Sequence, residues 1–313
     1  MEFYHSLSEA VGNRNILRDE PMAAHTTFRI GGPADYFVVP ESGEALGRGI
    51  TLCRSQGIPY FITGNGSNLL VGDGGYRGVI FNICRTMDDL LFEEREGRIT
   101  VTAGAGIMLA RLAREVSERG YAGFEYATGI PGTLGGAVTM NAGAYGGEIS
   151  DSILWAEIMD EDGRIFRLNR DELGLSYRHS VMMERNYIVL KAAFEFERGD
   201  GDSIMEKVRQ LSLSRREKQP LEYPSAGSTF KRPEGYFAGK LIQDCGLKGY
   251  RVGDAMVSEK HSGFVINAGH ATAGEVLALI RYIQQTVEDR FHVKIEPEIR
   301  MLGEFGGSDS CRN

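Results

Sequence analysis

One stretch, Gly129–Glu148, constrains this chain more than any other. Seven of the twenty residues in GIPGTLGGAVTMNAGAYGGE are glycine, and the stretch has no hydrophobic period of 2 or 3.6. Glycine loses more backbone entropy on folding than any other residue. Such a density makes sense where the backbone must turn sharply and pass close to something, its N–H groups facing a phosphate or a polar ring. A mobile linker would share the glycines. It would not share the anchors Ile130, Pro131, Leu134, Val138, Met140 and Tyr145.

A length of 313 residues exceeds one typical core, so two or three domains are expected. The 42% hydrophobic and 25% charged fractions are those of an ordinary soluble globular protein. A net charge of −8 argues against broad binding of nucleic acid or anionic membranes, while leaving room for a local basic site. No apolar run reaches the length of a membrane span, and Met1-Glu-Phe-Tyr-His5 lacks the basic and apolar regions of a secretion signal. Cys53, Cys84, Cys245 and Cys311 are scattered without CxxC spacing, which suggests neither a disulfide frame nor a metal site and points to a reducing cytoplasm.

Along the chain, residues 1–20 read as a loose or helical arm. Asp35–Val39 and Ile58–Thr63 read as strands around a helix over Glu44–Gln56, a βαβ unit followed by a strand at Gly78–Ile83. Leu46, Ile50 and Cys53 share a face of that helix, which Gly47 and Gly49 weaken. The loop Gly64-Asn-Gly-Ser-Asn-Leu-Leu70 stands at a strand's carboxyl end, where α/β sheets bind ligands, but it holds only the first GxG of a dinucleotide fingerprint. Arg98–Ala103 predicts a strand and Met108–Arg119 an amphipathic helix closed by Gly120. Ile153–Met159, Arg164–Leu168 and Tyr187–Phe196 predict an antiparallel sheet. A polar break at Arg198–Gly201 suits a domain boundary. Beyond it come a helix capped by Ser203 and Glu206, a second over Tyr236–Cys245, a strand at Phe264–Asn267, a helix capped by Thr272 and Glu275, and a last strand over Val293–Leu302. No internal repeat is visible.

Several residues could carry chemistry. Ser228 lies in PSAGSTFK without a GxSxG elbow; its hydroxyl could donate a proton to a developing carbanion or bond its own turn. Arg178 could clamp a carboxylate bidentately, whereas His179 reads as a solvated surface residue. Glu298 avoids the apolar face of its strand and points to solvent or into a polar site. Arg215, Arg216, Lys218, Lys231, Arg232, Lys240, Lys248 and Arg251 could gather into a diphosphate patch or form a solvated basic face.

Together, Gly64–Asn68, Gly129–Gly136, Asn141–Gly146, Tyr177-Arg178, Ala226–Ser228 and Glu296–Glu298 occur in the order that marks a known family. From about His25 to Leu302 the chain resembles the UDP-N-acetylenolpyruvylglucosamine reductase (MurB) family of flavoenzymes. The resemblance implies an α+β fold: a two-part FAD-binding module of the vanillyl-alcohol-oxidase, p-cresol-methylhydroxylase type over 1–84 and 85–199, and a C-terminal α+β substrate-binding domain over 200–303. A disordered tail is expected over 304–313. It also implies that NADPH reduces FAD and that UDP-N-acetylglucosamine enolpyruvate then becomes UDP-N-acetylmuramate, in peptidoglycan precursor synthesis.

By the same resemblance Ser228 is the proton donor, and Arg178 and Glu298 polarise the substrate carboxylate. Tyr145, Tyr177, Lys218 and Lys231 contact the substrate alongside Arg178. Gly64, Asn65, Gly66, Ser67, Asn68, Leu69, Gly129, Ile130, Pro131, Gly132, Gly135, Gly136, Asn141, Ala142, Gly143, Gly146 and Arg300 contact the flavin. No metal is implied, and a monomeric cytoplasmic enzyme is expected. Longer members insert a tyrosine-bearing segment after the strand that matches residues 187–196. Here Phe196–Gly201 runs almost directly into the next helix, as in the shorter class. A flavin oxidase of the same fold would share the glycine loops without needing Arg178, Ser228 and Glu298 together, and a non-catalytic nucleotide-binding scaffold would need only the basic patch.

Overall fold

The computed structural model describes residues 2–306 and 310–311. The chain divides into two compact units. The first comprises Met1–Leu17, Phe37–Asn65 and Val79–Arg215, and the second Arg18–Tyr36, Gly66–Gly78 and Arg216–Asn313.

The first unit is built on an antiparallel sheet in the order Ile165–Asn169, Ile153–Met159, Ile188–Arg198, Arg98–Gly104, Leu90–Arg95. Alternation sets its face: Ile99, Val101 and Ala103 are buried while Thr100 and Thr102 are not. Across the central pairing, Val101 faces Phe194 and Ile99 faces Phe196. Phe124 packs on both phenylalanines, its ring centroid 5.4 and 5.1 Å from theirs. The helix Leu109–Glu118 buries Leu109, Leu112, Ala113 and Val116, the expected i, i+3, i+4, i+7 stripe. Gly120 follows it with φ +79°. The strand Leu90–Arg95 was not legible in advance, because this edge is largely exposed and charged and shows no apolar period.

A four-stranded sheet runs in the order Ile16–Pro21, Pro33–Val38, Tyr76–Asn82, Tyr60–Thr63. The two strands of the anticipated βαβ unit are therefore not neighbours. Tyr76–Asn82 lies between them and pairs parallel with Tyr60–Thr63. The intervening helix Gly43–Ser55 starts at Ser42, whose hydroxyl accepts from the Ala45 N–H at 3.2 Å. Gly49 lowers its helix propensity for a packing reason, since a Cβ there would lie 2.7 Å from the Phe81 ring. Burial pushes the Cys53 thiol on this helix up to about 12, so it acts as a small apolar side chain.

In the second unit the helix Ala273–Phe291 buries Val276, Leu279, Ile280, Ile283 and Val287 against Leu241, Ile242, Val257 and Val265. Each such side chain contributes about 1.5–3 kcal/mol through area removed from water. The Thr272–Glu275 capping box forms as expected. A second cap arrives from residue 73: the Asp73 carboxylate accepts from the N–H groups of Ala273 at 2.8 Å and Gly274 at 2.9 Å.

Two expectations need correction. The helix Gly201–Lys218 is capped by Asp200, which accepts from the N–H groups of Asp202 and Ser203, so Ser203 lies inside the helix. The strand expected over Val293–Leu302 is confined to Arg300–Glu304. Before it the chain makes only an isolated bridge, Phe230 to Pro297, because proline lacks a ladder donor. The anticipated tail lies partly outside the described residues; within it Ser310–Cys311 pairs with Gly303–Glu304.

Removing either cap of Ala273–Phe291 should be measurable. Thr272→Ala and Asp73→Ala should each cost about 1 kcal/mol. The double variant should cost less than the sum if fraying of the first turn is shared. Urea midpoints followed by far-UV circular dichroism would check this.

Candidate active site

Two glycine loops meet inside the first unit. Gly64 follows the strand Tyr60–Thr63, and its carbonyl accepts from Asn82 Nδ2 at 2.8 Å. A Cβ on Gly64 would fall 2.2 Å from Thr133 Oγ1, so the 64–65 loop can lie against the 129–136 loop only as glycine. Asn65 Nδ2 closes the contact by donating to the Pro131 carbonyl at 2.6 Å. The second loop is pinned from behind as well. Leu109 N–H donates to Gly132 O at 2.9 Å, and Gly135 N–H donates to Ala105 O at 2.8 Å.

The glycines thus divide in purpose. Gly64, Gly129 and Gly135 are held tight against Thr133, Arg215 and Ala105. Gly136 is exposed, with its nearest neighbour 3.7 Å from where a Cβ would sit. Ile130 and Gly132 are half-buried and Pro131 is exposed. A paired glycine cradle with open backbone at its rim fits a cofactor carrying a diphosphate. Thr133, which fills the space Gly64 vacates, was not singled out from sequence, and no residue pattern marks it.

Beyond this cradle lies a short hairpin pairing Gly147 with Ala144 and Glu148 with Gly143. Its two tip residues, Tyr145 (φ +53°) and Gly146 (φ +89°), both carry the positive φ that a type I′ turn requires. Tyrosine at such a position costs about 1–3 kcal/mol and leaves its side chain 48% exposed. Ala142 precedes the hairpin, its N–H donating to Ala137 O at 2.8 Å.

Tyr177 and Arg178 form the tip of a second tight turn, closed by reciprocal backbone bonds between Ser176 and His179 at 3.1 Å. Arg178 is also left-handed, at φ +55°. Its Nη2 donates to Gly143 O at 3.2 Å, and its guanidinium lies 5.0 Å from the Tyr177 ring centroid. His179 bonds Glu184 at 2.8 Å on the surface.

The second unit holds the remaining candidates. Gly66 has φ +60°, and the His25 carbonyl lies 2.2 Å from where a Cβ would be, so both backbone and space require glycine. Ser67 and Asn68 are half-buried and Leu69 is buried. Asn68 ties this loop to the chain end: its Nδ2 donates to Glu298 O at 3.2 Å, and its carbonyl accepts from Arg300 N–H at 2.9 Å. Leu69 then pairs parallel with Arg300. Burial pulls the Arg300 guanidinium below its ordinary range, which still leaves an arginine charged near neutrality.

Ser228 is exposed, and its position is set by Thr229. The Thr229 N–H donates to Gly263 O at 2.8 Å, its Oγ1 accepts from Val265 N–H at 2.9 Å, and its carbonyl accepts from Glu298 N–H at 2.8 Å. Ser228 and Glu298 therefore project from two segments joined one residue away. Three members of the anticipated basic patch are paired with carboxylates where they stand. Lys231 pairs with Glu296 at 3.1 Å, Arg251 pairs with Asp254 at 3.1 Å, and Lys240 pairs with Asp244. Lys218 ends its helix exposed.

Residues 34–169 match the profile of an FAD binding domain, and residues 219–302 match the C-terminal domain of UDP-N-acetylenolpyruvoylglucosamine reductase. A UDP-N-acetylenolpyruvoylglucosamine reductase of Agathobacter rectalis is 50% identical over 311 residues, covering 97% of this chain and 99% of the relative. The chain belongs to the UDP-N-acetylenolpyruvoylglucosamine reductase family. Another reductase of this name, from Lachnoclostridium phytofermentans, is 50% identical over 298 residues, with 95% and 96% of the two chains covered. The crystal structure of the Thermus caldophilus reductase superposes with a TM-score of 0.76 at 34% identity, over 91% of this chain and 97% of that one. The α+β fold, the FAD-binding module and the assignment as a flavin-dependent oxidoreductase of this reductase family all stand. Among the described residues no group of His, Cys, Asp or Glu could hold a metal ion, and no helix is long and apolar enough to cross a membrane.

The contact between the glycine loops makes a sharp test. Gly64→Ala should push Thr133 aside, lower stability by about 1–3 kcal/mol and loosen FAD. Gly64→Ala with Thr133→Ala should recover most of both losses. Melting temperature and bound flavin per protein are the readouts; no recovery in the double variant would contradict the contact.

Proposed function

We propose that this enzyme uses NADPH to reduce UDP-N-acetylglucosamine enolpyruvate to UDP-N-acetylmuramate, a step in making the peptidoglycan precursor. The observation that carries the reading is the 50% identity, over nearly the full length of both chains, to enzymes named for that substrate. Arg178, Ser228 and Glu298 are present at the positions the family resemblance assigns to the chemistry.

FAD, when bound, would carry two electrons from NADPH to the enolpyruvyl double bond. The residues proposed to hold it are Gly64 to Leu69, Gly129 to Gly132, Gly135, Gly136, Ala142, Gly143, Gly146 and Arg300. Their support is the mutual packing of the two loops and the bond from Arg300 to the Asn68 carbonyl.

The task left to the protein follows from the substrate. An enol ether is already electron-rich, so adding electrons to it requires somewhere for negative charge to go. The adjoining carboxylate is the natural sink, and donors fixed in advance around it can each supply about 2.7–4 kcal/mol. Arg178 is the proposed clamp, because its guanidinium can meet both carboxylate oxygens. Its left-handed backbone and its bond to Gly143 support a fixed rather than a mobile arginine. Glu298 can help only if it is protonated or bonded to another group, since a second bare carboxylate would repel the first. Ser228 then gives its hydroxyl proton to the carbon bearing the carboxylate and takes another from solvent, to which it is open. Tyr145, Tyr177, Lys218 and Lys231 are proposed to contact the rest of the substrate. Cys53, Cys84 and Cys245 are free thiols, which supports a cytoplasmic setting.

Anaerobic NADPH should bleach the flavin absorbance, and the enolpyruvyl sugar nucleotide should restore it. Recovery by oxygen alone would point to an oxidase and overturn the reading. Ser228→Ala should leave bleaching intact and slow recovery by about 10²–10⁴-fold in stopped flow. Equal losses in both halves would remove the proton-donor role.

A further inference from the structure

Asn141 is grouped with the cofactor contacts by the family resemblance, yet its side chain is 0% exposed. Both ends of its amide are engaged within the protein. Its Oδ1 accepts from Ser150 N–H at 2.9 Å, and its Nδ2 donates to Ser176 O at 3.1 Å. The partners fix the orientation of the amide, because a backbone N–H can only donate and a carbonyl can only accept. Its own backbone is left-handed, at φ +41°, a conformation asparagine tolerates better than most side chains. We infer that Asn141 is a positioning residue for the substrate carboxylate: it locks the Arg178 turn against the Tyr145 hairpin and does not touch the cofactor.

Two more bonds join the same segments. Ser180 Oγ, also buried, donates to Thr139 O at 2.6 Å, and Arg178 Nη2 donates to Gly143 O at 3.2 Å. The strand of chain from Thr139 to Gly143 is thus tied to the turn Ser176–Ser180 at three places, with Asn141 at the centre. A left-handed arginine persists only where its surroundings over-determine it. Asn141 supplies that determination from both sides, since Ser150 lies beyond the hairpin and Ser176 opens the turn. If the tie is cut, the turn can relax and the guanidinium loses its aim.

The inference rests on the role of Arg178 proposed above, and the test separates the two. Asn141→Asp keeps the acceptor for Ser150 but sets a carboxylate oxygen against the Ser176 carbonyl. Asn141→Gly keeps the backbone conformation and removes both bonds. Both variants should hold FAD at the wild-type ratio and be reduced by NADPH within about two-fold of the wild-type rate. Reoxidation by UDP-N-acetylglucosamine enolpyruvate should slow by about 10²-fold, the usual result of misplacing a clamp by an ångström. In an Arg178→Ala background, Asn141→Asp should add less than about two-fold, because the residue acts through that arginine.

Loss of FAD in step with rate, equal loss in both half-reactions, or full additivity with Arg178→Ala would each overturn the inference alone. Failure of the wild-type enzyme to be reoxidised by that substrate would overturn the functional reading itself, before any variant is made. Should the Asn141 variants not fold, Ser180→Ala breaks the parallel tie to Thr139 and must show the same split; its absence would equally overturn the assignment.

Discussion

The first unit depends on a close approach that side chains would forbid. Gly64 lies where a Cβ would meet Thr133 Oγ1 at 2.2 Å, and Gly135 where one would meet Ala105 Cβ at 3.0 Å. These absences let two loops and the segment behind them share one small volume, fastened by the bonds from Asn65 to Pro131 and from Gly135 to Ala105. Unfolded-state entropy is the cost of each glycine. What the cost secures is rigidity rather than flexibility, because each of these glycines is enclosed by neighbours that leave it one conformation.

Strain is placed where chemistry is proposed. Tyr145 and Arg178 both occupy the left-handed region, each at the tip of a turn of two residues. Conformations costing about 1–3 kcal/mol survive only when surrounding bonds outweigh them. At Arg178 those bonds are identifiable: the reciprocal pair between Ser176 and His179, the Gly143 carbonyl, and Asn141 behind the turn. Ser228 is handled differently. It carries no such strain itself; its neighbour Thr229 is bonded through N–H, carbonyl and hydroxyl at once.

How legible this was from sequence depended on the range of the interaction concerned. The helix stripes of Leu109–Glu118 and Ala273–Phe291, and the Thr272–Glu275 cap, are local patterns and were readable directly. The cap from Asp73 joins residues 200 positions apart, and nothing near residue 73 announces it. The insertion of Tyr76–Asn82 between two strands that sequence order would make neighbours is likewise a tertiary choice. The glycine stretch was legible as a close-approach element, but not which glycines face protein and which face outward. Asn141 shows the same limit. Its motif marks it as important, and only its buried amide bonds give a physical reason.

On the proposed function an acidic protein must hold a substrate bearing a diphosphate and a carboxylate. Long-range attraction cannot help, since the net charge of −8 has the sign of the substrate and its field is largely screened beyond about 8 Å. Local, desolvated cations must do the work, and the arrangement of the basic residues is suited to it. Exposed Lys231, Lys240 and Arg251 are paired with carboxylates and offer little field. Arg215 and Arg300 are instead substantially buried, and burial pulls both guanidinium groups below their ordinary range. A lysine there could shed its proton to escape that penalty, whereas arginine keeps its charge across the physiological range. The desolvation already borne by these arginines strengthens any contact they make with an anion, because water no longer screens it. On that reading, partly buried guanidinium groups such as Arg215 and Arg300 would carry the electrostatic recognition, and the net charge would be free to serve solubility.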